Sequence, residues 1–179
     1  MLENEAGVDM RKKFRLRLYN GSTDKINLEI KEKQCGFTGK SVCEVSLNEC
    51  ENLIKHLPPK MYDARKPLNL LRINMISACF FPRLIVEYER KAFVHNVGNV
   101  RITFDKDIKA SKCYTDFTEP EVRGLFPVLP QGLHVLEIKY DQLLPEHIAQ
   151  LLEIGNLRQT SFSKYYLGRC WKSLHLVSV

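Results

Sequence analysis

The stretch that decides the fold reads RKKFRLRLY at Arg11–Tyr19, NGSTD at Asn20–Asp24 and KINLEIKEK at Lys25–Lys33. In its first and third parts, apolar and charged residues alternate with a period of two, which is typical of β-strands with two unlike faces. The middle part consists of turn-forming residues. We therefore predict a β-hairpin that is aliphatic on one face and charged on the other.

The remaining chain mixes strands and helices. A turn at Gly36–Gly39 leads into a short strand at Lys40–Val45. Ser46 with Glu49 three residues later predicts a capping box that begins a helix at 47–57, which Pro58-Pro59 ends. We predict further strands at 84–94, 100–106 and 133–140, helices at 67–79, 145–153 and 161–171, and an irregular excursion over 107–132.

The composition is that of one folded domain with a basic excess. Lys+Arg number 27 and Asp+Glu 21, a net charge of +6, and 44% of the 179 residues are hydrophobic. We expect a single domain over residues 1–179. No apolar run approaches the ~18 residues of a membrane span, and the acidic N-terminus lacks the regions of a signal peptide. We therefore expect neither secretion nor membrane insertion, and the charge indicates an anionic partner.

The cysteines and histidines predict no metal site. The six cysteines are widely and irregularly spaced, and no Cys-x-x-Cys pair occurs. We expect free thiols in a reducing compartment. The five histidines are scattered, and we assign none of them a catalytic role.

The charged strand faces are mainly cationic. If helices cover the aliphatic faces, the charged faces point either into water, as in an open antiparallel sheet, or into a barrel. A closed sheet of about eight strands has an interior that can hold a ligand, and cations gathered there would need a polyanion as counter-ion. The pattern alone leaves both options open. The cations on these faces are Arg15, Arg17, Lys31, Lys33, Arg90, Arg101 and Lys139.

An ordered set of short motifs carries a family resemblance. These motifs are Arg15-x-Arg17, Leu28-Glu29-Ile30-Lys31-x-Lys33, Tyr88-x-Arg90-x-Ala92-Phe93, Val100-Arg101-Ile102-Thr103-Phe104-Asp105, Leu136-Glu137-Ile138-Lys139-Tyr140 and Ser163-Lys164-Tyr165-Tyr166. In this order they resemble the catalytic domain of the vacuolar transporter chaperone (VTC) polyphosphate polymerases. That family belongs to the triphosphate tunnel metalloenzyme (CYTH-like) superfamily.

The resemblance implies an α+β fold, with an antiparallel β-barrel that forms a cationic tunnel flanked by helices. It implies transfer of the terminal phosphoryl group of ATP to a growing polyphosphate chain, with divalent Mn²⁺ or Mg²⁺ as cofactor. Glu137 would be the metal ligand. The catalytic contacts would be Arg15, Arg17, Lys31, Arg90, Arg101 and Lys164, and the substrate-binding residues Lys33, Lys40, Tyr88, Lys139 and Ser163.

Three side chains keep alternative roles at this level. Glu29 and Asp105 are either metal ligands or salt-bridge partners that orient the Arg and Lys side chains. Tyr88 either contacts the ligand or packs in the core.

Only about ten residues, 1–10, precede the strand that carries the motif at Arg15, where the family has its opening strands. We therefore expect the N-terminal strands to be missing and the barrel to be incomplete.

Two classes of function remain: a polymerase, with triphosphate hydrolysis as a variant, or a non-catalytic polyphosphate-binding module. Nucleic acid ranks third, because aromatic side chains are not interleaved on the cationic faces. The expected partners are ATP and inorganic polyphosphate in the cytoplasm, with a membrane-protein partner left open.

Overall fold

The computed structural model describes residues 11–153, 155 and 159–175. The expectation about the N-terminal segment, residues 1–10, lies outside them. The chain forms two compact units: unit 1 is built from residues 11–83 and Cys113–Arg123, and unit 2 from Leu84–Lys112 and the described residues from Gly124 onwards. Each unit contains one antiparallel sheet and two helices, so the predicted α+β class is confirmed.

The sheet of unit 1 contains the predicted hairpin and one more strand. Its strands are β1 (Arg11–Tyr19), β2 (Ser22–Gln34) and β3 (Phe37–Val45), with β2 in the middle. All neighbouring strands are antiparallel.

Both connections in this sheet are two-residue turns. Asn20 (φ 54°) and Gly21 (φ 68°) form the first, and Cys35 (φ 48°) and Gly36 (φ 81°) the second. Positive φ at both central residues is the type I′ geometry that matches the twist of a hairpin. The turns are therefore shorter than we predicted, and β2 and β3 each begin three residues earlier than the sequence indicates.

Two helices cover the aliphatic face of this sheet: α1 (Leu47–Ile54) and α2 (Lys66–Ala78). The predicted capping box is confirmed, because Ser46 and Glu49 exchange side-chain to backbone hydrogen bonds. Helix α1 ends before the predicted Leu57, since His56 has a left-handed backbone (φ 64°). The buried core of unit 1 consists of Ile26, Leu28, Ile30, Val45, Cys50, Leu53, Ile54, Leu68 and Leu71.

The sheet of unit 2 is organised around its second strand. The strands are β4 (Ile85–His95), β5 (Val100–Ser111), β6 (Phe126–Pro127) and β7 (Val135–Lys139), and β5 pairs with the other three. Strand β5 extends past the predicted end at Lys106. A bulge at Asp107 (φ 47°), where the pairing with β4 shifts register, breaks the alternation on which that prediction relied.

Helices α3 (Glu146–Leu152) and α4 (Lys164–His175) complete unit 2. Helix α4 packs on the sheet through Leu167 and Gly168, beside the buried Ile108 and Ala110. Its close approach depends on the absence of a side chain at Gly168. A Cβ atom there would lie 2.7 Å from Leu84 Cδ2 and 3.0 Å from Ala110 Cβ.

The described strands form two separate sheets of three and four strands, and neither sheet closes into a barrel. This agrees with the expected incomplete barrel, while the tunnel and its cationic interior remain predictions. All six cysteines are free thiols, as expected. Within the described residues, no helix is both long enough and apolar enough to cross a membrane.

We expect Gly168→Val to lower the free energy of unfolding by about 2 kcal/mol, because the new side chain overlaps Leu84 and Ala110 in a packed interface. Urea unfolding followed by circular dichroism measures this. The matched control is Gly39→Val, where a new Cβ meets no atom within 4 Å. Equal stabilities for the two variants would contradict the described packing of α4.

Candidate functional site

The basic face of unit 1 is the sheet face opposite its aliphatic core. The strand register places Arg15 opposite Glu29, and Lys31 between Lys13 and Lys40. Because side chains alternate along each strand, residues two apart share a face. Seven cations therefore lie on this face: Arg11, Lys13, Arg15, Arg17, Lys31, Lys33 and Lys40.

Glu29 is the centre of a charge cluster on this face, which we call the Glu29 cluster. Arg15 donates two hydrogen bonds to Oε2, one of them from Nε at 3.0 Å. Lys40 Nζ lies 3.2 Å and an Arg17 guanidinium nitrogen 3.6 Å from Oε1. The Glu29 side chain is only 8% exposed, so these three cations replace its contact with water.

Glu29 is ionised at neutral pH for this reason. Burial alone would raise the pKa of its carboxyl, but the hydrogen bond from Arg15 and the charges of Arg15 and Arg17 outweigh it. The pKa therefore lies below its ordinary value of 4.5. Of the two roles left open by the sequence, the structure shows the salt-bridge partner.

Sequence reasoning missed Arg11 and Lys13, which lie on the same face as the predicted residues. The signal was present, because the cations at positions 11, 13, 15 and 17 alternate along β1. We began the functional set at Arg15, where the family motif begins.

Asp105 is the centre of a second cluster, in unit 2, which we call the Asp105 cluster. Its side chain has no exposure to solvent. Arg90, which stands opposite Asp105 in the sheet, binds both oxygens, with Nε at 2.6 Å from Oδ1 and a terminal nitrogen at 2.7 Å from Oδ2. From the first turn of α4, Lys164 Nζ reaches Oδ2 at 2.6 Å. These hydrogen bonds outweigh burial and hold the pKa of Asp105 below its ordinary value of 3.8, so Asp105 is also a salt-bridge partner.

The ring of Tyr88 lies close to both cations of this cluster. Its ring centroid is 5.2 Å from the Arg90 guanidinium carbon and 4.9 Å from Lys164 Nζ, both within cation–π range. Tyr88 also packs against the core of unit 2 beside Ile108. The packing alternative is therefore confirmed, and a contact with ligand stays a prediction.

The carboxylate of Glu137 is more accessible to solvent than that of Asp105. Its side chain is 41% exposed, with Lys139 Nζ 3.1 Å from Oε1 and an Arg90 nitrogen 3.8 Å from Oε2. Burial would raise its pKa, but Lys139, Arg90 and Lys164 lower it below 4.5. Glu137 is thus an ionised carboxylate that is partly open to solvent.

These residues offer a divalent ion few protein ligands, but the ligands are of the oxygen type that hard ions prefer. Within the described residues, no three His, Cys, Asp or Glu side chains gather around one point. Hard ions such as Mg²⁺ are often held by one or two carboxylates together with substrate phosphates. Glu137 could hold such an ion only jointly with phosphate oxygens.

The other predicted residues of unit 2 lie nearby in the fold. Arg101 is exposed and stands opposite Lys139 in the sheet. The Ser163 hydroxyl accepts a hydrogen bond from the backbone N–H of Tyr166 and so caps α4. The predicted site residues are thus divided between the units: Arg15, Arg17, Lys31, Lys33 and Lys40 in unit 1, and Tyr88, Arg90, Arg101, Glu137, Lys139, Ser163 and Lys164 in unit 2.

We expect Glu29→Gln to lower the free energy of unfolding at pH 7 by about 2 kcal/mol, because three cations lose their common carboxylate. A depressed carboxyl pKa contributes stability above pH 4.5 that is lost as the pH falls through the folded-state pKa. The difference from wild type should therefore shrink below pH 4.5 in urea unfolding. Glu32→Gln, on the opposite face, is the control and should change stability little. A difference that persisted unchanged at pH 2 would contradict this account.

Comparison with known proteins identifies the family. No curated protein and no solved structure shows detectable similarity to the chain. The family model described as VTC domain matches residues 2–172, which is nearly the whole chain and includes both clusters. The chain therefore belongs to the VTC domain family.

Proposed function

We propose that this protein is a polyphosphate polymerase that transfers the γ-phosphoryl group of ATP to the end of a growing polyphosphate chain. Membership of the VTC domain family supports a function related to polyphosphate polymerisation, with ATP and polyphosphate as substrates. The observation that carries the proposal is the position of Glu137. It is an open carboxylate beside Arg90 and Lys139. The Arg90 guanidinium is itself held in place by the buried Asp105.

In the proposed reaction, a terminal oxygen of the polyphosphate chain attacks the γ-phosphorus of ATP. The bond between this phosphorus and the β,γ-bridging oxygen breaks, ADP leaves with that oxygen, and the chain gains one phosphate. Such transfer depends mostly on positioning and on neutralising the charge of the phosphoryl oxygens. A covalent enzyme intermediate is not required.

The cations carry out this positioning. In unit 2, Arg90 has donors left over after its two bonds to Asp105, because a guanidinium has five N–H groups. Arg101, Lys139, Lys164 and the Ser163 hydroxyl would contact further phosphate oxygens. In unit 1, Arg15, Arg17, Lys31, Lys33 and Lys40 would do the same. A divalent ion held by Glu137 and the phosphates would neutralise charge on the transferred group.

We expect Glu137→Gln to reduce polymer formation at least about a hundredfold, because an open carboxylate beside Arg90 and Lys139 is lost. Incubation with ATP and Mn²⁺ or Mg²⁺, followed by gel detection of polyphosphate, measures this. Binding of polyphosphate should be retained, since the cations remain.

The control is Glu89→Gln, which removes an exposed carboxylate of β4 paired only loosely with Lys106 at 3.8 Å, and should leave turnover unchanged. Full activity of Glu137→Gln would refute the metal assignment. If the wild type binds polyphosphate tightly but forms no polymer, the protein is a binding module. Release of orthophosphate from triphosphate without polymer would identify a hydrolase instead.

A further inference from the structure

The ammonium group of Lys164 is held at a place where its own helix disfavours it. Lys164 is the first residue of α4 and directly follows the capping residue Ser163. The N-terminal end of a helix carries partial positive charge from its unpaired N–H groups, so a cation there is repelled. The Lys164 side chain is nevertheless only 20% exposed. Other groups in unit 2 must therefore stabilise it.

The carboxylate of Asp105 supplies only part of this stabilisation. Its Oδ2 atom lies 2.6 Å from Lys164 Nζ. Arg90 already binds both oxygens of the same carboxylate, so one negative charge serves two cations. Pairing with Asp105 alone would leave excess positive charge in a place that is poorly solvated, which costs free energy. The ammonium of Lys164 therefore needs a further kind of partner.

Two aromatic rings are that partner. Lys164 Nζ lies 4.9 Å from the ring centroid of Tyr88 and 5.6 Å from the ring centroid of Phe162. Both distances are within the roughly 6 Å over which the face of a ring attracts a cation. A ring differs from a second carboxylate because it stabilises the ammonium without cancelling its charge. Lys164 is therefore fixed in place and remains positive towards an anionic ligand.

Phe162 also anchors the start of α4. It directly precedes Ser163, and it packs with Leu167 against the buried core around Ile108. A hydrophobic residue just before the cap and another at the fourth residue of the helix are the positions of a hydrophobic staple, which fixes how the chain enters the helix. Phe162 thus makes two separable contributions: apolar bulk that packs on the core, and a ring face that contacts Lys164.

We propose that Phe162 is a positioning residue, whose ring face, together with that of Tyr88, holds the Lys164 ammonium beside Asp105 in one orientation towards the transferred phosphoryl group. The consequence for the reaction rests on the proposed function, in which Lys164 contacts phosphate. A lysine has a flexible four-carbon stem, and a charge that samples many positions stabilises a transition state less than a fixed one. Phe162 acts through Lys164.

The test separates the ring face of Phe162 from its bulk. Replacement of Phe162 by trifluorophenylalanine keeps the shape of the side chain, but fluorine withdraws electron density from the ring face and weakens its attraction for a cation. Phe162→Leu removes the ring and keeps an apolar side chain. The matched control is trifluorophenylalanine at Phe93, whose ring is 49% exposed and lies 5.4 Å from Lys91 Nζ, outside both clusters.

The first measurement needs no catalysis. Lysines of the ligand-free full chain are acetylated with acetic anhydride, and the rate at each position is followed by peptide mass spectrometry. Because only a free amine is acetylated, an ammonium that is held by its neighbours reacts slowly. We expect Lys164 to react at least about threefold faster in both Phe162 variants than in wild type. The rate at Lys106, which is 46% exposed, is the internal reference and should not change.

The second measurement is the polymerase reaction with ATP and Mn²⁺. We expect the trifluorophenylalanine variant of Phe162 to lower kcat about fivefold while KM for ATP changes less than about twofold, because orientation matters most in the transition state. Phe162→Leu should lower kcat further, and the control at Phe93 should match wild type. Urea unfolding checks that each variant is folded. If Phe162→Leu is not, the isosteric variant alone decides.

The proposal is wrong if trifluorophenylalanine at Phe162 leaves the acetylation of Lys164 as in wild type, since the residue is then only a staple. Faster acetylation of Lys164 with an unchanged kcat would also overturn the positioning role, as would an equal effect of the control at Phe93. Failure of the proposed function is distinct from these results. It is the absence of polymer formation by wild type, and the acetylation rates then still decide whether the ring holds Lys164.

Discussion

The carboxylates of Asp105 and Glu29 are removed from water, and the arrangement of cations in each unit follows from that. An ionised carboxylate in a poorly solvated place is costly unless it is paired and fully hydrogen-bonded. Both conditions are met, by Arg90 and Lys164 in one cluster and mainly by Arg15 and Lys40 in the other. Among the described residues, no buried side-chain nitrogen or oxygen lacks a partner.

In the proposed function, this arrangement would affect how phosphate groups bind. Long basic side chains normally lose considerable rotamer entropy when a ligand immobilises them. Here part of this rotamer entropy is already lost on folding, because a buried carboxylate in each cluster binds the charged ends of the basic side chains. Each cluster still has more positive than negative charges, so the carboxylate orients the cations without cancelling their attraction for phosphate.

Local signals made much of the fold predictable. The alternation in β1 and β2 and the capping box at Ser46 are local patterns, and both were confirmed. The turns were predicted too long because Ser22 to Asp24 are turn-forming residues that nevertheless belong to β2. The bulge at Asp107 disguised the continuation of β5. Such outcomes depend on neighbouring strands, whose positions the local sequence does not specify.

The site was predictable only in its residue types. The sequence placed cations on the charged strand faces but left open whether Glu29 and Asp105 are metal ligands or the salt-bridge partners of those cations. That role depends on strand register and, for Asp105, on the distant Lys164. Lys13 was missed because the family motif, rather than the whole face, guided the choice of residues.

The two-residue turns of unit 1 have a consequence for how its sequence can vary. The turn between β2 and β3 leaves no slack, and the register of that pair runs without a shift from the turn to Ile26. Strands β1 and β2 keep one register from Arg11 to Arg17, before an irregularity next to their turn. Inserting or deleting one residue within β2 would exchange its two faces over part of the strand, moving Lys31 and Lys33 towards α1 and α2 and Ile30 towards the basic face. Single substitutions can tune the number of cations gradually. Length changes within the regularly paired parts of these strands preserve both faces in steps of two residues, and an odd change needs an irregularity such as the one between Arg17 and Tyr19.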